Sequence, residues 1–368
     1  MRNMQKKYRK KVLVITNHSY MLWRFRRELI QELMKTCEVV LCMPFVGHED
    51  DFQKIGLRCI KTDVDRRGIN PVTDLKLIRT YKKILKEEKP DQVITYSIKP
   101  NIYAGWLCEK RNIPFCANVQ GLGTAFQKTG LAQFVTILYR HAFRNVQTVF
   151  FENVGNAEEF QKRHIIPAEK GLVLRGAGIN LDYYSLEPYP DNEKVHFLYL
   201  GRIMKEKGMD ELFEAARRLH RENHNFVLDL VGFFEDEYKE QVESLESEGI
   251  AVFHGFQEEP RPFYASADCV VLPSYHEGMS NVLLEAAATG RPTITTDIPG
   301  CREAVEQNVS GFLVKVKSSD NLYRAMKQIL EMPRESRAAM GIAGRKKMEL
   351  EFDKKKVVAE TLQGMRGL

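Results

Sequence analysis

The sequence predicts an α/β protein made of two doubly wound parallel sheets, and three observations lead to this fold class. The chain has 368 residues, more than one hydrophobic core usually organises. Short runs rich in β-branched and aromatic residues alternate with helical patterns, the order typical of a parallel sheet covered by helices. The alternation is interrupted once, at 175–194, by turn-forming residues and prolines, so we expect two domains.

The first domain is predicted over residues 1–178. Its strands and helices, in order, are predicted at 11–17, 22–36, 38–44, 74–90, 91–97 and 148–153. The strand runs include "KVLVITN" (11–17) and "EVVLCMP" (38–44), and their alternation with helices predicts a parallel, doubly wound sheet. Residues 179–194 are interpreted as the linker between the domains.

The second domain is predicted over residues 195–350. Its strands are predicted at 195–201, 225–232, 251–255, 269–274 and 292–296, with a first helix from about 207. A helical run from about 319 closes the chain, and its end, 351–368, is interpreted as a helix that can cross back to the first domain. Two such domains would face each other across a cleft at the carboxyl ends of both sheets.

Charge is distributed unevenly along the chain. Residues 1–180 contain 31 Lys and Arg against 17 Asp and Glu, whereas the remainder contains 24 against 32. A basic first half suits an anionic membrane, a phosphate-bearing substrate or nucleic acid. Because no basic–aromatic RNA motif or zinc finger occurs, we expect no nucleic-acid partner.

The cysteines and the apolar runs indicate a cytoplasmic protein. The seven cysteines are scattered and include no C-x-x-C pair, which favours reduced thiols over disulfides or zinc. No apolar run approaches the roughly 20 residues of a membrane-spanning helix. The first run, "VLVI", is too short for a signal peptide.

Cations and carboxylates cluster at two places in the second domain. "YLGRIMKEKGMDEL" (199–212) carries Arg202 and Lys207 from a strand end towards a helix N-terminus, where anions are favoured; the alternative is a solvated loop. In "LPSYHEGMSNVLLEAAATG" (272–290), Glu277 precedes a helix, and Glu285 lies roughly 9 Å along its axis. A diphosphate at the helix mouth would place a sugar near Glu277 and ribose hydroxyls near Glu285. The alternative is that Glu277 is an acid at the helix N-terminus, favoured by the helix dipole, and that Glu285 is exposed to solvent.

These segments resemble a known family. "GRIMKEKG", the E-x7-E spacing of "EGMSNVLLE" and "PGCREAV" are similar to the retaining GT-B glycosyltransferases of family 4, over essentially the whole chain. "LWRFRRELI", "DRRGINPVTDL", "SIKPNIYAG", "NVQGLGTAF" and "FENVGNAEEF" resemble a narrower subgroup that extends undecaprenyl-diphosphate-linked sugars for capsule, O-antigen or N-glycan assembly. The resemblance implies two facing Rossmann-like domains with a cleft between them.

The resemblance also implies roles for single residues. Arg202 and Lys207 would hold the donor diphosphate, Glu277 the donor sugar and Glu285 the ribose. Arg202, Lys207 and Glu277 would be the catalytic residues. The donor-binding residues would be Gly201, Arg202, Lys207, Glu277, Gly278, Met279, Ser280 and Glu285. The family needs no metal and no cofactor, since its UDP-sugar donor is a substrate.

The first domain departs from the family pattern. "TNHSYMLWRF" lacks the glycine that many relatives use after the first strand, and "TYSIKP" lacks a histidine that they often carry. The residues expected at the acceptor side are therefore His18, Arg26, Lys99, Gly121 and Gly123.

Other motifs receive weaker interpretations. "DVD" (63–65) mimics a metal-binding motif, but a structural or acceptor-loop role is favoured. "GLG" (121–123) lacks the third glycine and the downstream acid of a dinucleotide site, which argues against a dehydrogenase. A nucleotide-sugar epimerase or hydrolase on the same fold, or a non-catalytic nucleotide-sugar binding module, stays open as an alternative function.

A lipid-linked acceptor would place the protein at the inner face of the plasma membrane. The basic start, with Arg2, Lys6, Lys7, Arg9, Lys10 and Lys11, is either a solvated tail or an anionic-membrane contact. The helix predicted at 131–145 is either ordinary core or an interfacial patch. The sequence thus predicts a retaining hexosyl or N-acetylhexosaminyl transferase that uses a UDP-sugar, a lipid-diphosphate saccharide and an anionic membrane surface.

Overall fold

The computed structural model describes residues 9–65, 70–123, 126, 129–222 and 225–365. The cations Arg2, Lys6 and Lys7 and most of "DRRG" (65–68) lie outside the described residues. The chain divides into two compact units: Met1–Ala177 with Val357–Leu368, and Gly178–Lys356.

The first unit is built on a parallel sheet. Its described elements are β1 Lys11–Ile15, α1 Ser19–Thr36, β2 Glu38–Met43, α2 Glu49–Lys54, β3 Arg58–Lys61, α3 Pro71–Glu88, β4 Gln92–Tyr96, α4 Ile98–Arg111, β5 Phe115–Val119, α5 Thr129–Ala142, β6 Thr148–Phe151, α6 Val154–Lys162 and β7 Gly171–Val173. The strand order is β3-β2-β1-β4-β5-β6-β7, and each neighbouring pair is parallel. The order reverses between β1 and β4, as the prediction of a doubly wound sheet requires.

The second unit repeats the same plan. Its described elements are β8 Val195–Ile203, α7 Met209–Arg221, β9 Phe226–Phe234, α8 Lys239–Ser247, β10 Ala251–Gly255, α9 Arg261–Ser266, β11 Cys269–Leu272, α10 Asn281–Ala288, β12 Thr293–Thr296, β13 Gly311–Val314, α11 Ser319–Glu331 and α12 Arg334–Glu351. The strand order is β10-β9-β8-β11-β12-β13, again with parallel pairs. The predicted fold class is confirmed for both units.

The last helix, α13 (Lys354–Gly364), contributes to the first unit. Val357, Val358 and Met365 are buried in the same apolar cluster as Val12 of β1. Thr148 Oγ1 of β6 donates a hydrogen bond to the carbonyl of Gly364 at 2.7 Å. The end of the chain therefore packs on the sheet that the beginning of the chain forms.

Residues 179–194, interpreted from the sequence as a linker, are counted with the second unit. The fully buried Arg291 and the half-buried Arg334 donate hydrogen bonds to the backbone carbonyls of residues 187–190, at 2.7–3.2 Å. A guanidinium group has five donors, so one side chain can satisfy several carbonyls of an irregular segment. These arginines anchor the segment to the second unit.

A carboxylate bridges two histidines on the second sheet. Asp229 of β9 has Oδ2 2.7 Å from His196 Nδ1 of β8, and Oδ1 2.7 Å from His254 Nε2 of β10. The hydrogen bond to Asp229 raises the pKa of His196 above its usual 6.5. Burial opposes the charge on Asp229, but the two histidines outweigh it and lower the pKa of that carboxyl below 3.8.

This bridge predicts a pH-dependent contribution to stability. Since the folded-state pKa of His196 is raised, its contribution is complete below pH 6.5 and is lost as pH rises through that pKa. We expect Asp229→Asn to lower the free energy of unfolding by roughly 1–2 kcal/mol at pH 6, and by less at pH 9. Denaturant titrations at both pH values measure the difference. An equal loss at pH 6 and pH 9 would contradict the prediction.

No disulfide is formed among the described residues. All seven cysteines are free, and six of them are buried. Within the described ranges, no helix combines the length and the apolar character needed to cross a membrane.

Candidate active site

The second sheet reverses its strand order between β8 and β11. Ligands of parallel α/β sheets bind beside the carboxyl ends of the strands at such a point. Arg202 is the penultimate residue of β8, and Lys207 follows in a short 3₁₀ turn. Ser274 and Glu277 follow the end of β11. The residues predicted to bind the donor therefore lie together at the reversal point, at the ends of two neighbouring strands.

Lys207 and Glu277 form a short ion pair. Lys207 Nζ donates to Glu277 Oε1 at 2.5 Å, and Ser274 Oγ donates to the same oxygen at 2.7 Å. The side chains of the pair are 17% and 13% exposed, so solvent reaches both groups but screens them little. An ammonium group has three donors, of which Glu277 takes one, so Lys207 can bind an anion at the same time.

Two glycines allow the loops of this site to approach each other. Gly208 has φ +74°, and a Cβ there would overlap the carbonyl of Pro273. Gly300 has φ +87°, and a Cβ there would overlap the carbonyl of Gly278. Ser280 N donates to the carbonyl of Gly300 at 2.9 Å. Only glycine combines this left-handed backbone with such close contact, so both glycines help to set the distance between cation and carboxylate.

Arg202 lies in a second ion pair. Its Nη1 donates to Glu235 Oε2 at 2.6 Å, with the arginine side chain 45% exposed and the glutamate 11%. Tyr199 OH donates to the carbonyl of Arg202 at 2.6 Å. Burial, reinforced by the charge of Glu277, raises the pKa of Tyr199 well above its usual value, so this hydroxyl stays protonated. The backbone of Arg202 is thus fixed while its guanidinium reaches solvent.

Helix α10 carries the second glutamate of the E-x7-E motif. Ser280 caps the helix, its Oγ accepting from Leu283 N at 3.4 Å, and Met279 before it is buried. Glu285 is only 5% exposed, and its Oε2 accepts from Tyr264 OH at 2.8 Å. The alternative of an exposed second acid is therefore wrong, because a carboxylate this deep requires hydrogen-bond partners.

The predicted residues of the first unit lie in several places around its sheet. His18 immediately precedes α1, and its ring centroid is 6.2 Å from that of Tyr20. Arg26 of α1 is buried, with Nη2 donating to Glu152 Oε1 at 2.6 Å. Its guanidinium lies over the ring of Tyr96, 5.5 Å from the centroid. Arg26 thus ties α1 to the carboxyl end of β6.

Lys99 belongs to a different ion pair. Its Nζ donates to Asp74 Oδ1 of α3 at 2.7 Å, with both side chains less than 15% exposed. Gly121 and Gly123 follow β5, and Gly123 has φ +64°. The structure therefore places Arg26 and Lys99 in two separate ion pairs within the first unit.

The reversal point of the first sheet carries a strained serine. Ser97 directly follows β4, with φ +74° and ψ +161°, a conformation that residues other than glycine rarely adopt. Its Oγ donates to Asn17 Oδ1, two residues beyond β1, at 2.8 Å. The two polar side chains thus bridge the carboxyl ends of the neighbouring strands β1 and β4.

Several polar residues of these sites were not predicted from the sequence. Ser274 is the last residue of the predicted strand 269–274, and Glu235 lies three residues after the predicted strand 225–232. The rule that ligands bind beside strand ends could have indicated both. Tyr264 gives no such signal, because its partner Glu285 lies 21 residues later, in another helix. Among the described residues, no group of three or more His, Cys, Asp or Glu side chains is arranged to hold a metal ion.

Two family models match the chain, one in each unit. The "Glycosyl transferase 4-like" model matches residues 11–153, and "Glycosyl transferases group 1" matches residues 187–347. The chain thus combines a glycosyltransferase 4-like domain with a glycosyltransferase group 1 domain. The resemblance to the GT-B glycosyltransferases of family 4 is thereby confirmed, and it extends over both units of this glycosyltransferase.

Curated relatives extend over most of this glycosyltransferase. It is 28% identical over 330 residues to the N,N'-diacetylbacillosaminyl-diphospho-undecaprenol alpha-1,3-N-acetylgalactosaminyltransferase of Campylobacter jejuni, covering 84% of this chain and 86% of that protein. It is 24% identical over 284 residues to the UDP-Gal:alpha-D-GlcNAc-diphosphoundecaprenol alpha-1,3-galactosyltransferase of Escherichia coli, covering 72% and 73%.

Solved structures share the fold of this glycosyltransferase. Anabaena HepE in complex with UDP and glucose has a TM-score of 0.80 at 16% identity, covering 98% of this chain and 100% of that chain. The apo lipopolysaccharide outer core galactosyltransferase WaaB has a TM-score of 0.70 at 17% identity, covering 96% and 99%. The likeness confirms the GT-B fold, with one Rossmann-like domain in each unit.

Proposed function

We propose that this glycosyltransferase moves a hexose or an N-acetylhexosamine from a UDP-sugar to a saccharide carried on a lipid diphosphate, with retention at the anomeric carbon. The reaction would extend a glycan in capsule or other surface polysaccharide assembly. The observation that carries the proposal is the ion pair of Lys207 and Glu277, held by Ser274 where the second sheet reverses.

The proposed donor follows from the charges at this point. A diphosphate beside α10 would meet the ammonium of Lys207, the guanidinium of Arg202 and the N–H groups of the helix N-terminus, all of which favour anions. Glu277 supplies a carboxylate for sugar hydroxyls, and Glu285 would serve the ribose. The complex of Anabaena HepE with UDP supports a uridine nucleotide.

The proposed acceptor follows from the relatives. The names of the Campylobacter and Escherichia enzymes both specify saccharides linked to undecaprenyl diphosphate. A saccharide of this kind is anchored in a bilayer by its lipid. We therefore place this glycosyltransferase in the cytoplasm, at the inner face of the plasma membrane.

The test incubates the protein with a panel of radiolabelled nucleotide sugars, with and without a lipid-diphosphate saccharide. Radiolabel that enters the lipid product from a UDP-sugar only when acceptor is present is the expected result. Free sugar or an epimerised donor in the absence of acceptor would indicate a hydrolase or an epimerase instead. Tight donor binding without any turnover would indicate a binding module.

Metal independence is a further expectation. With two cations and a helix N-terminus acting on the leaving diphosphate, a divalent ion is redundant, so transfer should continue in excess EDTA. The measurement compares initial rates before and after dialysis against the chelator. A complete loss that Mn²⁺ or Mg²⁺ restores would instead support the "DVD" motif at Asp63 and Asp65 as a metal site.

A further inference from the structure

Helix α5 presents an apolar and basic face to solvent. Phe134 and Ile137, one turn apart, are 53% and 51% exposed, although the helix packs its other side on the core of the first unit. Arg140 lies on the same side one turn later, and Arg144 follows just beyond the helix end. Large apolar side chains exposed next to each other usually mark a contact surface.

Helix α5 itself carries charge of one sign only. Residues 129–145 contain no Asp or Glu, and two further cations lie beside the C-terminal end of α5. Arg140 donates to the carbonyl of Arg163 at 2.6 Å, and Lys170 Nζ donates to the carbonyl of Arg144 at 3.2 Å. Two carboxylates near the cations form ion pairs: Glu159 with Arg163 at 2.5 Å, and Glu109 with Arg144 at 3.8 Å.

We infer that this face, the α5 patch (Phe134, Ile137, Arg140 and Arg144), docks the protein on an anionic lipid bilayer. Two contributions hold a helix in a membrane interface. Apolar side chains enter the boundary between headgroups and acyl chains, and cations beside them contact anionic headgroups. A protein partner would need a complementary acidic surface with a pocket for Phe134, whereas a bilayer offers both chemistries at once. The inference rests on the proposed function, because a lipid-linked acceptor brings the protein to such a surface.

The test measures binding of the full-length protein to vesicles of equal parts phosphatidylglycerol and phosphatidylcholine by sedimentation. We expect Arg140→Gln with Arg144→Gln to weaken the partition coefficient about 30-fold, roughly fivefold for each cation. Phe134→Ser with Ile137→Ser should weaken it at least about tenfold. Binding of the wild type should fall as salt rises, because screening shortens the reach of the cations.

Matched controls lie in the second unit. Lys239→Gln with Arg324→Gln removes two cations that are more than 70% exposed, and Ile342→Ser with Leu350→Ser removes two exposed apolar side chains of α12. These variants should bind vesicles like the wild type. If the double arginine variant melts early, Arg144→Gln alone, which leaves the hydrogen bonds of Arg140 in place, should still weaken binding about fivefold.

Three results would overturn the inference: no binding of the wild type to anionic vesicles, equal binding to pure phosphatidylcholine, or losses no larger than those of the controls. None of them bears on sugar transfer, because sedimentation needs neither donor nor acceptor. Conversely, a protein that binds vesicles through the α5 patch but transfers no sugar would overturn the proposed function alone.

Discussion

Replacing Lys207 with alanine is expected to lower kcat at least about 100-fold, because its ammonium would act on negative charge that develops as the diphosphate leaves. Removing a single preorganised donor of this kind typically costs two to three orders of magnitude. The substitution also removes the ion pair of 2.5 Å between Lys207 and Glu277. Initial rates at saturating UDP-sugar measure the effect.

The matched control for this prediction is Lys205→Ala, two residues earlier in the same turn. Lys205 is 68% exposed, with Nζ 3.6 Å from Asp210, and an exposed pair of this kind contributes little to stability. We expect its kcat to stay within about twofold of the wild type, as its charge is largely screened. Arg202→Ala should lower kcat to a similar extent as Lys207→Ala, with an unchanged melting temperature. Near-normal turnover in both Lys207→Ala and Arg202→Ala would refute the assignment of Lys207 and Arg202 to the leaving diphosphate.

The fold could be predicted because its signals are local. Continuous apolar runs such as residues 11–15 and 269–272 mark strands buried on both faces, and the alternation with helices dictates a parallel sheet. Four strands were missed: β3 (Arg58–Lys61), β5 (Phe115–Val119), β7 (Gly171–Val173) and β13 (Gly311–Val314). Strands β3, β7 and β13 are four residues or shorter and lie at a sheet edge, whereas β5 is an inner strand whose apolar run is interrupted by Asn118.

Of the candidate site, the sequence predicted the motif residues but not their partners. The E-x7-E spacing indicated Glu277 and Glu285, but not that Glu285 is buried and accepts a hydrogen bond from Tyr264 of α9. The sequence also did not predict that Arg202 pairs with Glu235 whereas Lys207 pairs with Glu277. Partner choice depends on which strand ends are neighbours, and that follows from the sheet order. The left-handed backbone of Ser97 is likewise invisible in the sequence, because serine does not signal it.

The second large effect concerns the anomeric configuration of the product. We hypothesise that the product retains the anomeric configuration of the donor, on the resemblance of the E-x7-E segment to retaining enzymes. Retention by double displacement would need a carboxylate that attacks the anomeric carbon and forms a glycosyl-enzyme intermediate. Glu277 is the candidate for that role in the donor site. Its Oε1, however, already accepts from both Lys207 and Ser274, which lowers the nucleophilicity of that oxygen and suits it to orienting neighbouring groups.

Front-face substitution is therefore the favoured mechanism. The acceptor hydroxyl oxygen would bond to the anomeric carbon on the face from which the nucleoside diphosphate leaves, as the bond between that carbon and the phosphate oxygen breaks. The leaving diphosphate, which Arg202 and Lys207 would hold, accepts the proton of the acceptor hydroxyl. Under this mechanism Glu277→Gln keeps an oxygen for Ser274 and Lys207 but loses the negative charge. We expect the variant to use the donor poorly, at least about tenfold below the wild type, yet to retain measurable transfer without a trapped sugar adduct. NMR of the product reports the anomeric configuration, and mass spectrometry of the intact protein reports any adduct. An inverted product would refute retention, whereas an adduct on Glu277 would leave retention standing and replace front-face attack by double displacement.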